Sequence, residues 1–214
     1  MHNKTTEQFA QLLHLSLSAE QTYEMFAAVC DHEKVTLTNL GTYFRICGMR
    51  QRYVSEKINT FLLNNNVQMT PNNEIKNLVR IPDVEEKHCV WTLMREAYKM
   101  EEAILNNWQM LAKIAKQGED FITFKACSAH MGHQIAMVTS MENQCNLFQN
   151  MIEKEDMEGF PYIFDQRVVK AIVGEMYQTC TKHNINQVPY DEYSNEKWVC
   201  PFAAIHGSVT EKRW

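Results

Sequence analysis

The sequence is poor in the residues that build phosphate-binding loops, metal knuckles and nucleophilic sites. Its seven glycines form no cluster, so a glycine-rich loop that cradles a phosphate is excluded. No Cys-x-x-Cys pair occurs, which leaves a zinc ribbon or a thioredoxin-like site without support. No Gly-x-Ser-x-Gly motif occurs either. The chain therefore carries no signature of nucleophilic catalysis.

Positive charge and long apolar runs are also scarce. The net charge is -5 and the pI is about 5.9, with no basic stripe, which argues against a general nucleic-acid binder. No apolar run approaches the roughly 18 residues that span a bilayer. The first residues, MHNKTTEQF, lack the apolar core of a secretory signal. We predict a cytoplasmic protein with no nucleic-acid or membrane partner.

What the chain does have is helical periodicity. Four segments carry an apolar residue every three or four positions, which is typical of amphipathic helices around a common core. The first is predicted over residues 6–30, the second ends near Leu63, the third covers 85–116 and the fourth ends near Glu155. The fourth stripe is predicted to be Phe124, Cys127, Met131, Gln134, Val138, Met141, Cys145 and Phe148.

The connections between these segments predict an all-α bundle with one long crossover. The stretch after Asn66, with Pro71 and Pro82, is too long for a hairpin and is predicted to return the chain along the bundle. Gly118 is predicted to end the third helix in a left-handed conformation. We therefore expect a four-helix bundle over residues 1–155, a fifth helix within 156–183 (about 165–182), and an irregular tail over 184–214, either docked or partner-binding.

Seven cysteines, an odd number, occur along the chain. Cys30, Cys47, Cys127 and Cys145 fall on the predicted interior stripes, where a thiol behaves as a small hydrophobe. Thirteen methionines occur, and those in the helices, such as Met110, are predicted to fill gaps in the core. We expect buried free thiols in a reducing compartment.

One layer of the predicted interior is polar. Its members are Ser16, Tyr23, Gln51, Glu101 and Gln134, with Arg50 adjacent. Only Glu101 is a carboxylate, whereas a bundle that binds two irons supplies several carboxylates and two histidines. Because Tyr23, Gln51 and Gln134 can all donate to Glu101, we favour a structural layer over residual metal binding.

Several short words of the sequence resemble the ferritin family. They are Val35-x-Leu37-x-Asn39-x-x-x-Tyr43-Phe44, Ala19 with Tyr23, Ala97 with Met100-Glu101, Leu111-x-Lys113-x-Ala115, Ile81-Pro82-Asp83 and Tyr162-Ile163-Phe164-Asp165. The match covers roughly residues 7 to 170, and it lies in the order and spacing of the words. The resemblance implies a ferritin-like up-down-down-up bundle whose long crossover joins the second and third helices, followed by a fifth helix and an extra tail.

The departures from that family affect its ferroxidase site. The resemblance places the iron ligands at Ser16, at Gln51 with Val54, at Glu101 and at Gln134, so two carboxylates and the imidazole are replaced. Tyr23, Glu101 and Gln134 remain as a remnant that is not expected to bind metal. We therefore predict no enzymatic activity and no cofactor held by an intact site.

The resemblance also places two further iron-handling features of the family. Its inner acidic patch falls on Arg50, Tyr53 and Glu56, and is mostly lost. Its ion channel falls on Phe124 and Cys127, where an apolar ring would not conduct ferrous ions.

Two other motifs are weaker metal candidates. Glu85-x-x-His88 is predicted in the first turn of the third helix, where acids favour the helix dipole and solvent exposure is the simpler interpretation. His130-x-x-His133 on the fourth helix has better spacing for zinc or copper, although we favour a surface or intersubunit pair. Cys127 lies one turn before His130, so a Cys/His cluster at a symmetry axis stays open.

Three hypotheses follow. In the first, the chain is a ferritin-like subunit of an iron-storage shell that co-assembles with active ferritin-type subunits, which would supply the iron. In the second, it is an iron-independent structural or interaction protein in an unrelated assembly, built on a degenerate bundle. The third and weakest is a residual metalloenzyme that combines Glu101 with His130 or His133.

Overall fold

A computed structural model describes residues 3–67, 75–153 and 159–174. Its helices are α1 (Asn3–Asp31), α2 (Thr38–Asn64), α3 (Cys89–Gln117), α4 (Phe121–Glu153) and α5 (Phe160–Phe164). A π-helical stretch, Asp165–Val169, continues α5, and helical conformation extends to residue 174. These ranges contain no strand. The prediction of an all-helical chain is therefore confirmed for the part that the structure describes.

Contacts between side chains fix the directions of the helices. Phe9 near the start of α1 packs on Phe61 near the end of α2, with ring centroids 5.3 Å apart. Gln8 of α1 donates to Asn107 near the end of α3, at 2.9 Å. The first pair shows that α1 runs antiparallel to α2, and the second shows that it runs antiparallel to α3. α2 and α3 consequently run in the same direction, which requires a long connection between them.

The described part of that connection follows α1. The Leu78 N–H donates to Thr22 Oγ1 at 2.9 Å, near the middle of α1. Further along, Glu85 forms an ion pair with Lys34 in the turn between α1 and α2. The chain thus returns to the end of the bundle at which α3 begins. Residues 68–74, including Pro71, lie outside the described ranges.

The start of α3 differs from the prediction. The helix begins at Cys89 rather than at residue 85, because the residues before it form a turn. In that turn the Asp83 N–H donates to the Glu86 carboxylate at 2.8 Å, and the Glu85 N–H donates to Asp83 Oδ1 at 2.9 Å. Glu85 and His88 therefore do not share a helical face.

The turn between α3 and α4 corrects a second prediction. Gly118 has a φ of −89°, and the following Glu119 takes the left-handed conformation, with a φ of 56°. Asp120 then caps α4, since its carboxylate accepts from the Thr123 N–H at 3.0 Å and from Thr123 Oγ1 at 2.9 Å.

The fifth helical segment begins at Phe160, five residues before the predicted start. Its Asp165 contacts the first turn of α2. Asp165 is fully buried and accepts from the Leu40 N–H and from Asn39 Nδ2, both at 2.7 Å. Its carboxylate thereby satisfies an amide that has no partner inside α2. The predicted helical residues 175–182 and the tail 184–214 lie outside the described ranges.

The core follows the predicted stripes closely on three helices, where only Phe61 of α2 and Trp91 of α3 are half-buried, and departs from them on α4. On α1 the residues predicted to be interior are each at most 2% exposed, namely Phe9, Leu12, Ser16, Ala19, Tyr23, Phe26 and Cys30. On α4 Met131, Val138 and Cys145 are only half-buried, while Met137 and Gln144 are buried instead. Met110 of α3, predicted to fill the core, is 51% exposed.

Among the residues that the structure describes, none of the helices is both long enough and apolar enough to cross a membrane.

A buried polar layer between the four long helices

Side chains from four helices meet in one polar layer at the middle of the bundle. α1 contributes Ser16 and Tyr23, α2 Gln51, α3 Glu101 and α4 Gln134, and each is at most 2% exposed. Their positions follow from the 3-and-4 spacing, which places every one of them on the interior stripe of its helix. The residues that the sequence singled out are therefore neighbours in space.

Glu101 is the centre of this layer. Tyr23 donates its hydroxyl to Glu101 Oε1 at 2.6 Å. Gln51 Nε2 lies 3.1 and 3.2 Å from the two carboxylate oxygens. Gln134 Nε2 donates to Oε2 at 2.5 Å and to the Glu101 backbone carbonyl at 2.9 Å. A buried carboxylate is stable only with such partners, and here both oxygens have several.

Arg50 completes the layer with a positive charge. Its side chain turns into the bundle, is 4% exposed as a residue, and places Nη1 3.0 Å from Glu101 Oε2. Its Nη2 donates to Gln134 Oε1. The sequence placed Arg50 beside the layer and also on the inner surface patch, and the structure places the guanidinium inside the core. Arg50 thus neutralises the one carboxylate of the layer.

Burial in this layer also changes the pKa values of neighbouring groups. Burial raises the pKa of Tyr23 well above its usual value, and the negative charge of Glu101 raises it further. Burial likewise raises the pKa of the Cys47 thiol, again with a contribution from Glu101 and an opposing one from Arg50. Tyr23 is therefore a protonated donor at neutral pH, which is the role its hydrogen bond requires.

Two polar atoms of the layer find no hydrogen-bond partner among the described residues. They are the Ser16 hydroxyl and the Gln51 carbonyl oxygen Oε1, both buried. Each costs roughly 1–3 kcal/mol when it is taken out of water without a partner. The carboxylate of Glu101 therefore has several hydrogen-bond partners, whereas the Ser16 hydroxyl and Gln51 Oε1 have none among the described residues.

These residues do not fit the pair of iron ions that the family resemblance implies. Ferrous ions take carboxylate and imidazole ligands, yet the layer offers one carboxylate that already binds Arg50. Val54 is apolar, and the guanidinium repels a divalent cation. Within the described ranges, no group of three or more His, Cys, Asp or Glu side chains is placed to hold a metal ion.

The His130 side chain of α4 has an aromatic partner on α3. The His130 ring stacks on Trp108 of α3 with centroids 4.7 Å apart and an angle of 15°. Burial lowers the pKa of His130 to about 4, so the ring is neutral at pH 7. His133 is half-buried nearby. His130 is thus held by an intramolecular stack, which the prediction of a surface or intersubunit pair did not include.

Three of the four cysteines on the predicted interior stripes are buried. Cys127 is fully buried within the chain, and burial raises its pKa to about 12. A side chain with no exposure cannot line an intersubunit channel in this conformation. Cys30 and Cys47 are likewise buried free thiols, as predicted, whereas Cys145 is half-buried.

The chain matches no known protein family, and no curated protein matches it. The resemblance to ferritins therefore rests on the residues quoted above.

Proposed function

We propose that the chain is a ferritin-like subunit without a ferroxidase centre, which contributes shell rather than chemistry to an iron-storage assembly. The support is the polar layer. Three residues are assigned by the resemblance to the remnant iron site, and two of them, Tyr23 and Gln134, donate hydrogen bonds to the third, Glu101. The directions of the four long helices and the path of residues 75–88 are compatible with a bundle that has one long crossover.

The observation that carries the inactive part of the proposal is the position of Arg50. Its guanidinium lies on Glu101 and Gln134, where an iron site would need further anionic ligands. A subunit in which a fixed cation neutralises the remaining carboxylate has no use for iron at that place. Such a subunit would depend on active partner subunits for iron oxidation and would be cytoplasmic with them.

The first test is the native mass and iron content of the protein isolated from its own source. A large shell of mixed subunits that holds iron supports the proposal. A monomer, or an iron-free complex with unrelated partners, overturns it.

A second test separates the missing ligands from other defects. Ferrous oxidation is measured for the wild-type chain and for a variant that combines Ser16→Glu, Gln51→Glu, Val54→His and Arg50→Ala. We expect no activity above buffer for the wild type and measurable oxidation for the variant. Activity in the wild type contradicts the proposal directly, and a folded but inactive variant removes the assignment of these positions.

A second function is favoured by a different observation. Phe121 and Ile122, in the first turn of α4, are 73% and 69% exposed. In the core, Arg50 and Glu101 form an ion pair with each other, so neither charge needs an iron ion as a partner. Large exposed apolar neighbours of this kind mark interaction surfaces. In this alternative the chain is an iron-independent structural protein, and the native mass and iron content decide between the two.

A further inference from the structure

Two buried oxygen atoms of the polar layer find no hydrogen-bond partner in the part of the chain that the structure describes. They are the hydroxyl oxygen of Ser16 on α1 and the side-chain carbonyl oxygen, Oε1, of Gln51 on α2. Both residues are 0% exposed, so bulk solvent does not reach either atom. Buried polar atoms of native proteins rarely lack a partner, and a bound water molecule commonly supplies one where the protein does not.

The orientation of the Gln51 amide is fixed by Glu101. The carboxylate accepts hydrogen bonds from the Tyr23 hydroxyl and the Arg50 guanidinium, so it acts as an acceptor on this side as well. The amide nitrogen therefore belongs on the carboxylate, and Gln51 Nε2 lies 3.1 and 3.2 Å from its two oxygens. Because the amide group is planar, Oε1 points away from Glu101 and needs a donor from another direction.

The aromatic contacts between α1 and α2 place the two oxygen atoms at one level of the bundle. Phe9 packs on Phe61 with ring centroids 5.3 Å apart, and Tyr23 packs on Phe44 with centroids 6.0 Å apart. Ser16 lies midway between the two α1 rings in the sequence. The glutamine lies within about two residues of the midpoint between the two α2 rings, which is a displacement of roughly 2–3 Å along the helix axis. The serine and the glutamine therefore face each other across the interface of the two helices.

The chemistry of the two atoms selects water over a larger ligand or a cation. Two successive positions of the α1 stripe, Ser16 and Ala19, carry small side chains, so α1 contributes little side-chain volume at this level. A water molecule accepts from the serine hydroxyl and donates to the amide oxygen of Gln51, which gives each atom its missing partner. A metal cation would have only two neutral oxygen ligands and would lie near the Arg50 guanidinium, which repels it.

We propose that one water molecule is bound between Ser16 Oγ and Gln51 Oε1 as an integral part of the core. It joins α1 to α2 at the centre of the bundle, and through the Gln51 amide it connects α1 to Glu101 on α3. The polar layer is then hydrogen-bonded on the side of Ser16 as well. The proposal concerns a solvent site and does not depend on any role in iron storage.

The direct test is a high-resolution crystal structure of the full-length protein. One solvent peak should lie within hydrogen-bond distance of both Ser16 Oγ and Gln51 Oε1. The variant Ser16→Val removes the hydroxyl and fills the space, so its structure should lack the peak and keep the contacts between Gln51 and Glu101. Absence of the peak in the wild type, or a direct hydrogen bond between Ser16 and Gln51, overturns the proposal. In crystals grown with rubidium chloride, an anomalous signal at the peak would identify a cation and overturn the water assignment.

Thermal unfolding gives an independent measurement in solution. If the Ser16 hydroxyl is hydrogen-bonded through the water, Ser16→Ala should lower the melting temperature by about 1–4 °C. If the hydroxyl has no partner, the same change should raise it, because alanine removes an unsatisfied group and is the better helix former. Ser55→Ala is the matched control, since Ser55 is 3% exposed and its hydroxyl donates to the Arg52 carbonyl at 2.6 Å. It should show a similar decrease, and a melting temperature of Ser16→Ala at or above the wild-type value overturns the proposal.

Discussion

The Arg50 guanidinium lies 3.0 Å from the Glu101 carboxylate in the interior of the bundle, and both side chains are almost completely withdrawn from solvent. A pair of this kind is weak evidence for stability by itself, because desolvation of the two charges opposes their attraction. Loss of only one member of the pair has a larger effect. Either charge left alone in the core has no water to solvate it.

We therefore predict that Arg50→Met destabilises the protein by about 3–5 kcal/mol, since it leaves Glu101 buried and uncompensated. The double variant Arg50→Met/Glu101→Gln should be more stable than the sum of the single changes indicates, with a coupling of about 1–3 kcal/mol. Urea unfolding followed by circular dichroism measures all three variants.

The matched control for this cycle is Arg52→Met on the same helix. Arg52 is largely exposed and only 3.5 Å from Glu56 in a surface pair, so its loss should change stability by less than about 0.5 kcal/mol. If Arg50→Met costs no more than Arg52→Met, the guanidinium is not buried on Glu101.

The helices and most of the core could be predicted from periodicity, because α1, α2 and α3 each have one clearly apolar face. α4 could not be predicted as well, since exposed Ile122, Ile135 and Leu147 leave apolar residues all round it. One column of the predicted stripe, Cys127, Gln134, Met141 and Phe148, is buried as expected. The other column is displaced by one residue from the first turn onwards, so Thr123, Met137 and Gln144 are buried in place of Phe124, Val138 and Cys145.

The residues of the polar layer could be predicted from the sequence, but the ion pair between Arg50 and Glu101 could not. The spacing placed Tyr23, Glu101 and Gln134 on interior faces, and the structure brings them into contact. The sequence places Arg50 next to the layer, from where its side chain could turn in, but it does not decide this because a charged residue next to a stripe is usually solvated. Its burial depends on acceptors supplied by α3 and α4, which a single helix does not reveal.

His130 should make the protein less stable in mild acid. Its pKa falls from 6.5 to about 4, with burial as the main cause and His133, Arg50 and Lys57 adding to it. The folded state therefore binds the proton less readily than the unfolded state. The stabilisation is complete above pH 6.5 and is lost as the pH falls towards 4.

This contribution is measured as a difference between wild type and His130→Phe, which keeps an aromatic ring on Trp108. Between pH 7 and pH 4 the wild type should lose about 1–3 kcal/mol more than the variant. Because both proteins share all their carboxylates, acid effects of those groups cancel. If the free energy of unfolding falls equally with pH in the two proteins, the pKa of His130 is not lowered by folding.

Asp165 should be required for the start of α2. It accepts from the Leu40 N–H and from Asn39 Nδ2, so Asp165→Ala leaves a buried amide without an acceptor. We expect a loss of about 1–3 kcal/mol and faster hydrogen exchange in the first turn of α2. Asp165→Asn keeps one acceptor oxygen and should lose less. Unchanged exchange at Leu40 in the alanine variant would mean that the contact does not persist in solution.

The buried thiols should be protected from alkylation while the protein is folded. Burial raises the pKa of Cys47 well above its usual value and that of Cys127 to about 12, so neither forms the reactive thiolate at pH 8. Cys145 is half-buried with a pKa of about 11 and should react slowly but measurably sooner. Site-resolved mass spectrometry after treatment with N-ethylmaleimide gives each rate, and denatured protein supplies the reference in which all thiols react alike.

Because Cys47 lies beside Tyr23 and Glu101, native labelling of Cys47 at the denatured rate would mean that the polar layer opens to water. A closed layer predicts instead that Arg50→Met, which leaves Glu101 unpaired, increases Cys47 labelling more than Cys127 labelling.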